Sequence, residues 1–155
     1  MKKFVLLIVS CLACIQFVSA QNYQGDVSFA YGIGVGEPAF DGWNIQTVHG
    51  YRFNDYLFVG GGVGLIKYSD ISESIIPVFA NVKGYLGNSH LVNPFVSLDL
   101  GYGIREEGGV YFSPAIGINI RAFRRLGVFV SVGYQYAKML DSSLGNINLR
   151  IGFCF

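Results

Sequence analysis

The last ten residues of the chain alternate between two kinds of side chain. Ile147, Leu149, Ile151, Phe153 and Phe155 alternate with Asn146, Asn148, Arg150, Gly152 and Cys154. Successive side chains of a strand point to opposite faces, so this segment has one apolar face and one polar or small face. A dry protein core would not accept Arg150 unpaired. The pattern is typical of a strand that crosses a membrane with its apolar face toward lipid.

The composition favours strands over helices as the membrane-crossing elements. Of the 155 residues, 52 % are hydrophobic and 14 % are charged, whereas about 25 % of the residues in an ordinary soluble domain are charged. A helical span needs about 18 or more consecutive apolar residues, and no such run occurs after the first twenty positions. The length corresponds to one domain. A net charge of +1 gives no indication of a nucleic-acid partner.

The N-terminus has the organisation of an export signal. Lys2 and Lys3 precede an apolar segment, and Val-Ser-Ala at positions 18–20 forms a small-x-small cleavage pattern. We therefore expect residues 1–20 to be a cleaved signal peptide and residues 21–155 to form the mature domain. An anchor helix and a lipoprotein modified at Cys11 are alternatives, but the apolar segment is short for both.

Cleavage at this position also decides the cysteine chemistry. It would remove Cys11 and Cys14 and leave Cys154 alone, so the mature chain could form no internal disulfide. The Cys-x-x-Cys spacing of Cys11 and Cys14 falls inside the signal segment. It therefore does not indicate a redox or metal site.

Eight segments of the mature chain alternate with a period of two, and each is close to the about 9–11 residues that a tilted strand needs to cross a bilayer. The predicted strands are Asp26 to Val35, Trp43 to Phe53, Tyr56 to Ile66, Ile76 to Leu86, Phe95 to Ile104, Tyr111 to Ala122, Leu126 to Tyr136 and Asn146 to Phe155. Lipid offers no partners for free backbone groups, so such strands must close on themselves. The sequence therefore predicts an all-β fold, an eight-stranded antiparallel up-and-down transmembrane β-barrel.

The charged residues decide which face points inward. A soluble barrel carries its charges outside, but here the charges within strands share a face with the glycines, and the other face is aliphatic or aromatic. We expect a lumen charge cluster formed by Asp26, Arg52, Lys83, Asp99, Arg121 and Arg150. Inward parity allows Lys83 to stand directly opposite Asp99, with Arg121 one strand further round. A barrel of eight strands is only wide enough to be filled by side chains, so the cluster would act as a plug.

The connections between strands differ in composition at the two ends. If both mature termini face the periplasm, the external connections hold Glu37, Asp41, Asp70, Glu73, Glu106, Glu107 and Asp141. The external surface is then acidic. The tight turn at Asn54-Asp55 would face the periplasm.

Several segments resemble the small eight-stranded β-barrels of bacterial outer membranes. They are Ile147 to Phe155, Gly50-Tyr51-Arg52-Phe53-Asn54 followed by Gly60-Gly61-Gly62-Val63-Gly64, and Pro94 to Tyr102. The resemblance covers nearly all of the mature chain. It implies an outer-membrane location with outer-membrane lipid as a partner. It also implies that the terminal aromatics Phe153 and Phe155 form the signal that the barrel-assembly machinery reads, and it implies no catalytic residues.

Candidate chemical motifs are few. The glycine-rich stretches at 32–36 and 60–64 lack the helix that a phosphate-binding loop requires, and Glu106-Glu107 is a solvated pair in a loop. We expect no catalytic, cofactor or metal residues. His49 is predicted to face outward with Thr47, where a lipid-facing His with a Ser partner would indicate an envelope lipid enzyme, but no Ser lies at a suitable spacing. An aromatic girdle with Tyr51 and Phe53 is therefore favoured.

The sequence thus predicts a non-catalytic outer-membrane barrel with a structural or surface-interaction role. A narrow, porin-like channel for small solutes is the alternative, and a lipid-modifying enzyme is the third possibility. No nucleic-acid partner is expected. The surface ligand is not indicated by the sequence.

Overall fold

The computed structural model describes residues 22–35, 40–69, 74–87, 91–104, 109–121, 126–138 and 143–155. The predicted signal peptide lies outside the described residues. So do most of the predicted acidic connections, with the exception of Asp41. The described residues include no helix that is long and apolar enough to cross a membrane.

Eight strands form one closed sheet. They are β1 (Tyr23–Val35), β2 (Gly42–Arg52), β3 (Leu57–Tyr68), β4 (Ser74–Tyr85), β5 (Val92–Ile104), β6 (Val110–Arg121), β7 (Gly127–Lys138) and β8 (Ser143–Cys154). Each strand pairs antiparallel with the next, and β8 pairs antiparallel with β1 to close the barrel. The predicted fold is confirmed. We call the end that carries Tyr23 and Phe155 the lower end, and the opposite end the upper end.

The alternation in β8 sets the inner and outer faces as predicted. Ile147, Leu149 and Ile151 are 48 %, 60 % and 53 % exposed, whereas Asn148 and Arg150 are 3 % and 5 % exposed. The same two faces occur on the other strands, because each strand is paired in register with its neighbours on both sides. The outer wall is therefore apolar.

The strand ends differ slightly from the prediction. β1 begins at Tyr23 rather than Asp26, and β5 begins at Val92 rather than Phe95. Pairing with one neighbouring strand, β2 for residues 23–25 and β6 for residues 92–94, extends these strands into segments whose own alternation is weak. At the lower end of β2, the Asn54 side chain accepts hydrogen bonds from the backbone N–H groups of Tyr56 (2.9 Å) and Leu57 (2.7 Å). The predicted tight turn is thus stabilised by an asparagine side chain.

The inner face contains large rings as well as polar and small residues, which the sequence analysis did not predict. The buried apolar side chains there include Val48, Phe58, Ile66, Tyr68, Phe79, Tyr85, Phe95, Tyr111 and Phe129. The inward glycines make room for these rings. A Cβ at Gly60 would lie 2.9 Å from the Phe58 ring and 2.6 Å from the His49 carbonyl oxygen, so the ring and the neighbouring strand occupy the space that a side chain would need.

Candidate functional site

A buried ion pair crosses the barrel interior near the lower end. The Lys83 ammonium group of β4 contacts the Asp26 carboxylate of β1, and the two residues are 5 % and 2 % exposed. β2 and β3 lie between β1 and β4 in the barrel, so the ion pair links distant parts of the wall. Burial of either charge alone would be costly, and the pair compensates both.

Three aromatic rings surround the Lys83 ammonium group. Its nitrogen lies 5.0 Å from the ring centroid of Phe129, 5.5 Å from that of Phe58 and 5.7 Å from that of Phe95. Ring faces attract cations at these distances. The rings come from β7, β3 and β5, so one lysine joins several strands through both its charge partner and its aromatic neighbours.

A second buried ion pair lies above the first. The Asp99 carboxylate is fully buried; one oxygen accepts a hydrogen bond from the Asn81 side-chain amide, and the other lies 3.4 Å from Arg150 Nη1. Two strands, β6 and β7, likewise lie between β5 and β8. The two pairs therefore cross the lumen at different heights.

The predicted opposition of Lys83 and Asp99 is wrong. In the β4–β5 register Asn81 stands opposite Asp99, and Lys83 stands opposite Ser97. The period of two places Lys83 and Asp99 on the inner face, but a register shift of two residues leaves that face unchanged. The connection between the strands therefore selects which inward residue is the neighbour.

Two members of the predicted lumen charge cluster lie at the rim rather than inside. Arg52 is half-buried at the lower end, where its guanidinium lies 4.3 Å from the Tyr85 ring centroid and donates to the backbone oxygens of Asn54 (3.3 Å) and Asp55 (2.9 Å). Arg121, the last residue of β6, is exposed. The structure thus brings Asp26, Lys83, Asp99 and Arg150 into the interior as two pairs and leaves the other two arginines outside them. Both arginines end their strands, where a long side chain reaches water.

Amide side chains add further links across the lumen. Gln24 Nε2 donates to the Tyr85 hydroxyl (3.0 Å) near the lower end. Higher up, Asn44 Nδ2 of β2 (3.2 Å) and Asn148 Nδ2 of β8 (2.8 Å) both donate to Gln135 Oε1 of β7. The alternation places Asn44, Gln135 and Asn148 on the inner faces of their strands, whereas Gln24 lies before the predicted start of the first strand. Only their repeated occurrence among inward glycines could have indicated a polar network.

His49 faces outward as predicted, and it has two hydrogen-bonding partners on the outer wall. Its Nδ1 lies 2.5 Å from the Tyr23 hydroxyl, and its Nε2 lies 2.9 Å from Thr47 Oγ1. The Tyr23 and His49 rings stack with centroids 6.1 Å apart. The sequence has no Ser at a suitable spacing from His49, but the Thr47 hydroxyl is its partner in the structure. We call Tyr23, Thr47 and His49 the His49 cluster.

The predicted assembly residues lie at the end of the closing seam. Phe153 and Phe155 point outward and are 54 % and 48 % exposed. The backbone of Phe155 exchanges two hydrogen bonds of 2.8 Å with Gly25 of β1, and its ring meets the His49 ring edge-on with centroids 6.5 Å apart. The last residue of the chain therefore completes the β1–β8 pairing.

A closed antiparallel barrel of eight strands, apolar outside and filled with polar and aromatic side chains inside, is the fold of the small transmembrane β-barrels of bacterial outer membranes. Solved structures with this fold align with 85 % of the chain. Neisserial surface protein A matches with a TM-score of 0.67 and 13 % identity over 95 % of its own chain. The N-terminal β-barrel domain of OprF from Pseudomonas aeruginosa matches with a TM-score of 0.53 and 15 % identity over 97 % of its chain.

A de novo designed transmembrane β-barrel also matches, with a TM-score of 0.55 and 17 % identity over 93 % of its chain. No family model and no curated protein matches the sequence. At these identities the likeness shows the fold. The role of the chain has to be argued from its own residues.

Proposed function

We propose that the mature chain is an integral outer-membrane barrel with a structural or surface-interaction role, neither catalytic nor a transport channel. Its lower end, with both mature termini, faces the periplasm. The apolar outer wall supports the membrane placement, since its exposed Val, Ile, Leu and aromatic residues would be unfavourable in water over so large an area. The fold likeness to outer-membrane barrels agrees with this location.

The single observation that supports a role other than transport is the filled lumen. Lys83 and its three aromatic neighbours occupy the lower interior, and the Asp99–Arg150 pair crosses it above them. A channel for solutes needs a continuous aqueous path, whereas a barrel of this size can be filled by its own side chains. The narrow-channel alternative therefore requires these cross-lumen contacts to break.

The first test is closure of the barrel in membranes. We expect unheated protein extracted from membranes to migrate faster on a denaturing gel than boiled protein, because continuous strand pairing resists detergent and keeps the barrel compact. Planar-bilayer recordings of refolded protein should show almost no current. Identical gel mobility would contradict a closed barrel, and large steady currents would replace the structural role with the channel.

The second test concerns the barrel-assembly machinery as a partner. Deletion of Phe155 should lower the amount of protein in the outer membrane several-fold and leave refolding into detergent largely intact. The deletion removes two seam hydrogen bonds, but ten register pairs between β1 and β8 remain. Membrane levels are measured by immunoblotting of fractionated cells. Ile151→Val is a control that shortens another outward side chain of β8, and equal levels for parent and deletion would remove the basis for an assembly signal.

A further inference from the structure

The upper half of the lumen contains buried hydroxyl groups that form no hydrogen bond with the described residues. Tyr68 ends β3 and Tyr111 lies at the start of β6, both near the upper end, and Ser113 follows on the inner face of β6. Each of the three residues is 1 % exposed. None of their hydroxyl oxygens has a hydrogen-bond partner in the described part of the chain. Burial of a hydroxyl without a partner is unfavourable, so three such groups in one region indicate a ligand that supplies the bonds.

A charged donor lies in the same region. Arg150 Nε is buried and has no partner among the described residues, although Nη1 of the same side chain lies 3.4 Å from the Asp99 carboxylate. Tyr111 interacts electrostatically with Arg150, with Asp99 and with Tyr68. Its side chain therefore connects the upper hydroxyls with the ion pair. Together with the three hydroxyls, Arg150 presents four N–H or O–H donors to the upper lumen.

Two pairs of side chains in this region face each other without a direct hydrogen bond. The Tyr68 hydroxyl faces the Gln135 side chain, and the Tyr111 hydroxyl faces Ser113, but no direct bond joins either pair. The Gln135 side-chain oxygen already accepts two amide protons. A carbonyl oxygen has two lone pairs, so it has no site left for the Tyr68 proton. Polar groups that face each other beyond direct bonding are joined where a water molecule sits between them.

We propose that the upper lumen binds a small cluster of ordered water molecules, which accepts hydrogen bonds from these four donors. Each water molecule accepts two hydrogen bonds and donates two, and a buried water typically makes about three. The donated bonds have an acceptor in Asn44 Oδ1, which is buried without a partner in the described chain and belongs to an amide bound to Gln135. An anion is a poorer fit, because the two ion pairs of the lumen already balance their charges.

The water cluster does not form an aqueous path through the barrel. Below it, the Lys83 ammonium group is enclosed by Asp26 and by the rings of Phe58, Phe95 and Phe129. The inference therefore agrees with a role other than transport. It does not depend on the membrane in which the barrel lies, because the closed sheet alone defines the lumen.

Removal of a single hydroxyl gives opposite results with and without bound water. If water satisfies the hydroxyls, Tyr111→Phe and Tyr68→Phe each lose a hydrogen bond, and urea unfolding in lipid vesicles should show an unfolding equilibrium constant about fivefold larger than that of the parent. If the hydroxyls are unsatisfied, both variants should be as stable as the parent or more stable. The control is Tyr85→Phe, whose hydroxyl accepts a direct bond of 3.0 Å from Gln24 Nε2, and it should lose stability in either case.

Nuclear magnetic resonance of the mature chain in lipid nanodiscs detects the water directly. Water protons should give nuclear Overhauser cross-peaks to the Ser113 amide proton and to the Arg150 Nε proton. The amide proton of Ser97, a buried serine opposite Lys83 in the lower lumen, should give none.

Each outcome decides the proposal, and all variants are first checked for the faster gel mobility of a closed barrel. Destabilised phenylalanine variants together with the Ser113 and Arg150 cross-peaks support it. Destabilised variants without these cross-peaks overturn it in favour of direct bonds between the side chains. Phenylalanine variants as stable as the parent also overturn it, and a closed barrel that holds no water leaves the proposed function intact.

Discussion

Replacing Lys83 with methionine is expected to lower the free energy of unfolding by about 3–5 kcal/mol, the typical effect of leaving one charge of a buried pair uncompensated. The substitution removes the cation from Asp26, which is 2 % exposed, and from the rings of Phe58 and Phe129. Urea unfolding in lipid vesicles, followed by the fluorescence of the single tryptophan Trp43, measures the change.

The control for Lys83→Met is Lys67→Met. Lys67 is an exposed lysine on the outward face of β3, so its loss should change stability far less. A double variant, Asp26→Asn with Lys83→Met, should recover much of the lost stability, because replacing both partners of a buried pair is often neutral. Similar losses for Lys67→Met and Lys83→Met would show that the buried pair has no special role.

Asp99→Ala is expected to have an effect of similar size, a loss of about 3–5 kcal/mol. It leaves Arg150 without its carboxylate and Asn81 without its acceptor in the interior. The unbalanced guanidinium should also favour anions, so the variant should give small, anion-selective currents where the parent gives almost none. Urea unfolding and planar-bilayer recordings measure the two effects.

Asp99→Asn separates the two contributions, because it retains a side-chain oxygen beside Asn81 but removes the charge opposite Arg150. We expect it to be more stable than Asp99→Ala and to retain the anion preference. Unchanged stability in Asp99→Ala would contradict a buried, compensated pair. Cation-selective currents would contradict the assignment of Arg150 as the residue left unbalanced.

The sequence analysis identified the faces of the strands because that information is local. On β8 the alternation places Arg150 on the inner face and Ile151 on the outer face, and this follows from the opposite directions of successive side chains. The same local rule placed Lys83 and Asp99 inside. It also placed His49 outside, next to Tyr51 in the same strand.

The alternation is less informative for aromatic residues, because a ring can face lipid or fill the lumen. Phe53 is exposed at the lower end of the barrel, while Phe58, five residues later, is fully buried beneath Gly50 and Gly60. The inner face was expected to be polar or small, and Phe58 falls on it. The deciding factor is the space above Gly50 and Gly60, which belongs to two adjacent strands and has no signal within either one.

The partners across the lumen were decided by the tertiary structure alone. A strand that slips by two residues keeps every side chain on the same face. The sequence could therefore not distinguish Asn81 from Lys83 as the neighbour of Asp99. The contacts from Lys83 to Asp26 and from Arg150 to Asp99 each join strands that have two other strands between them. They depend on the register of every pair between them and on closure of the barrel. The sequence by itself thus determined which face of each strand points into the lumen, and only the closed sheet determined which inward side chains meet.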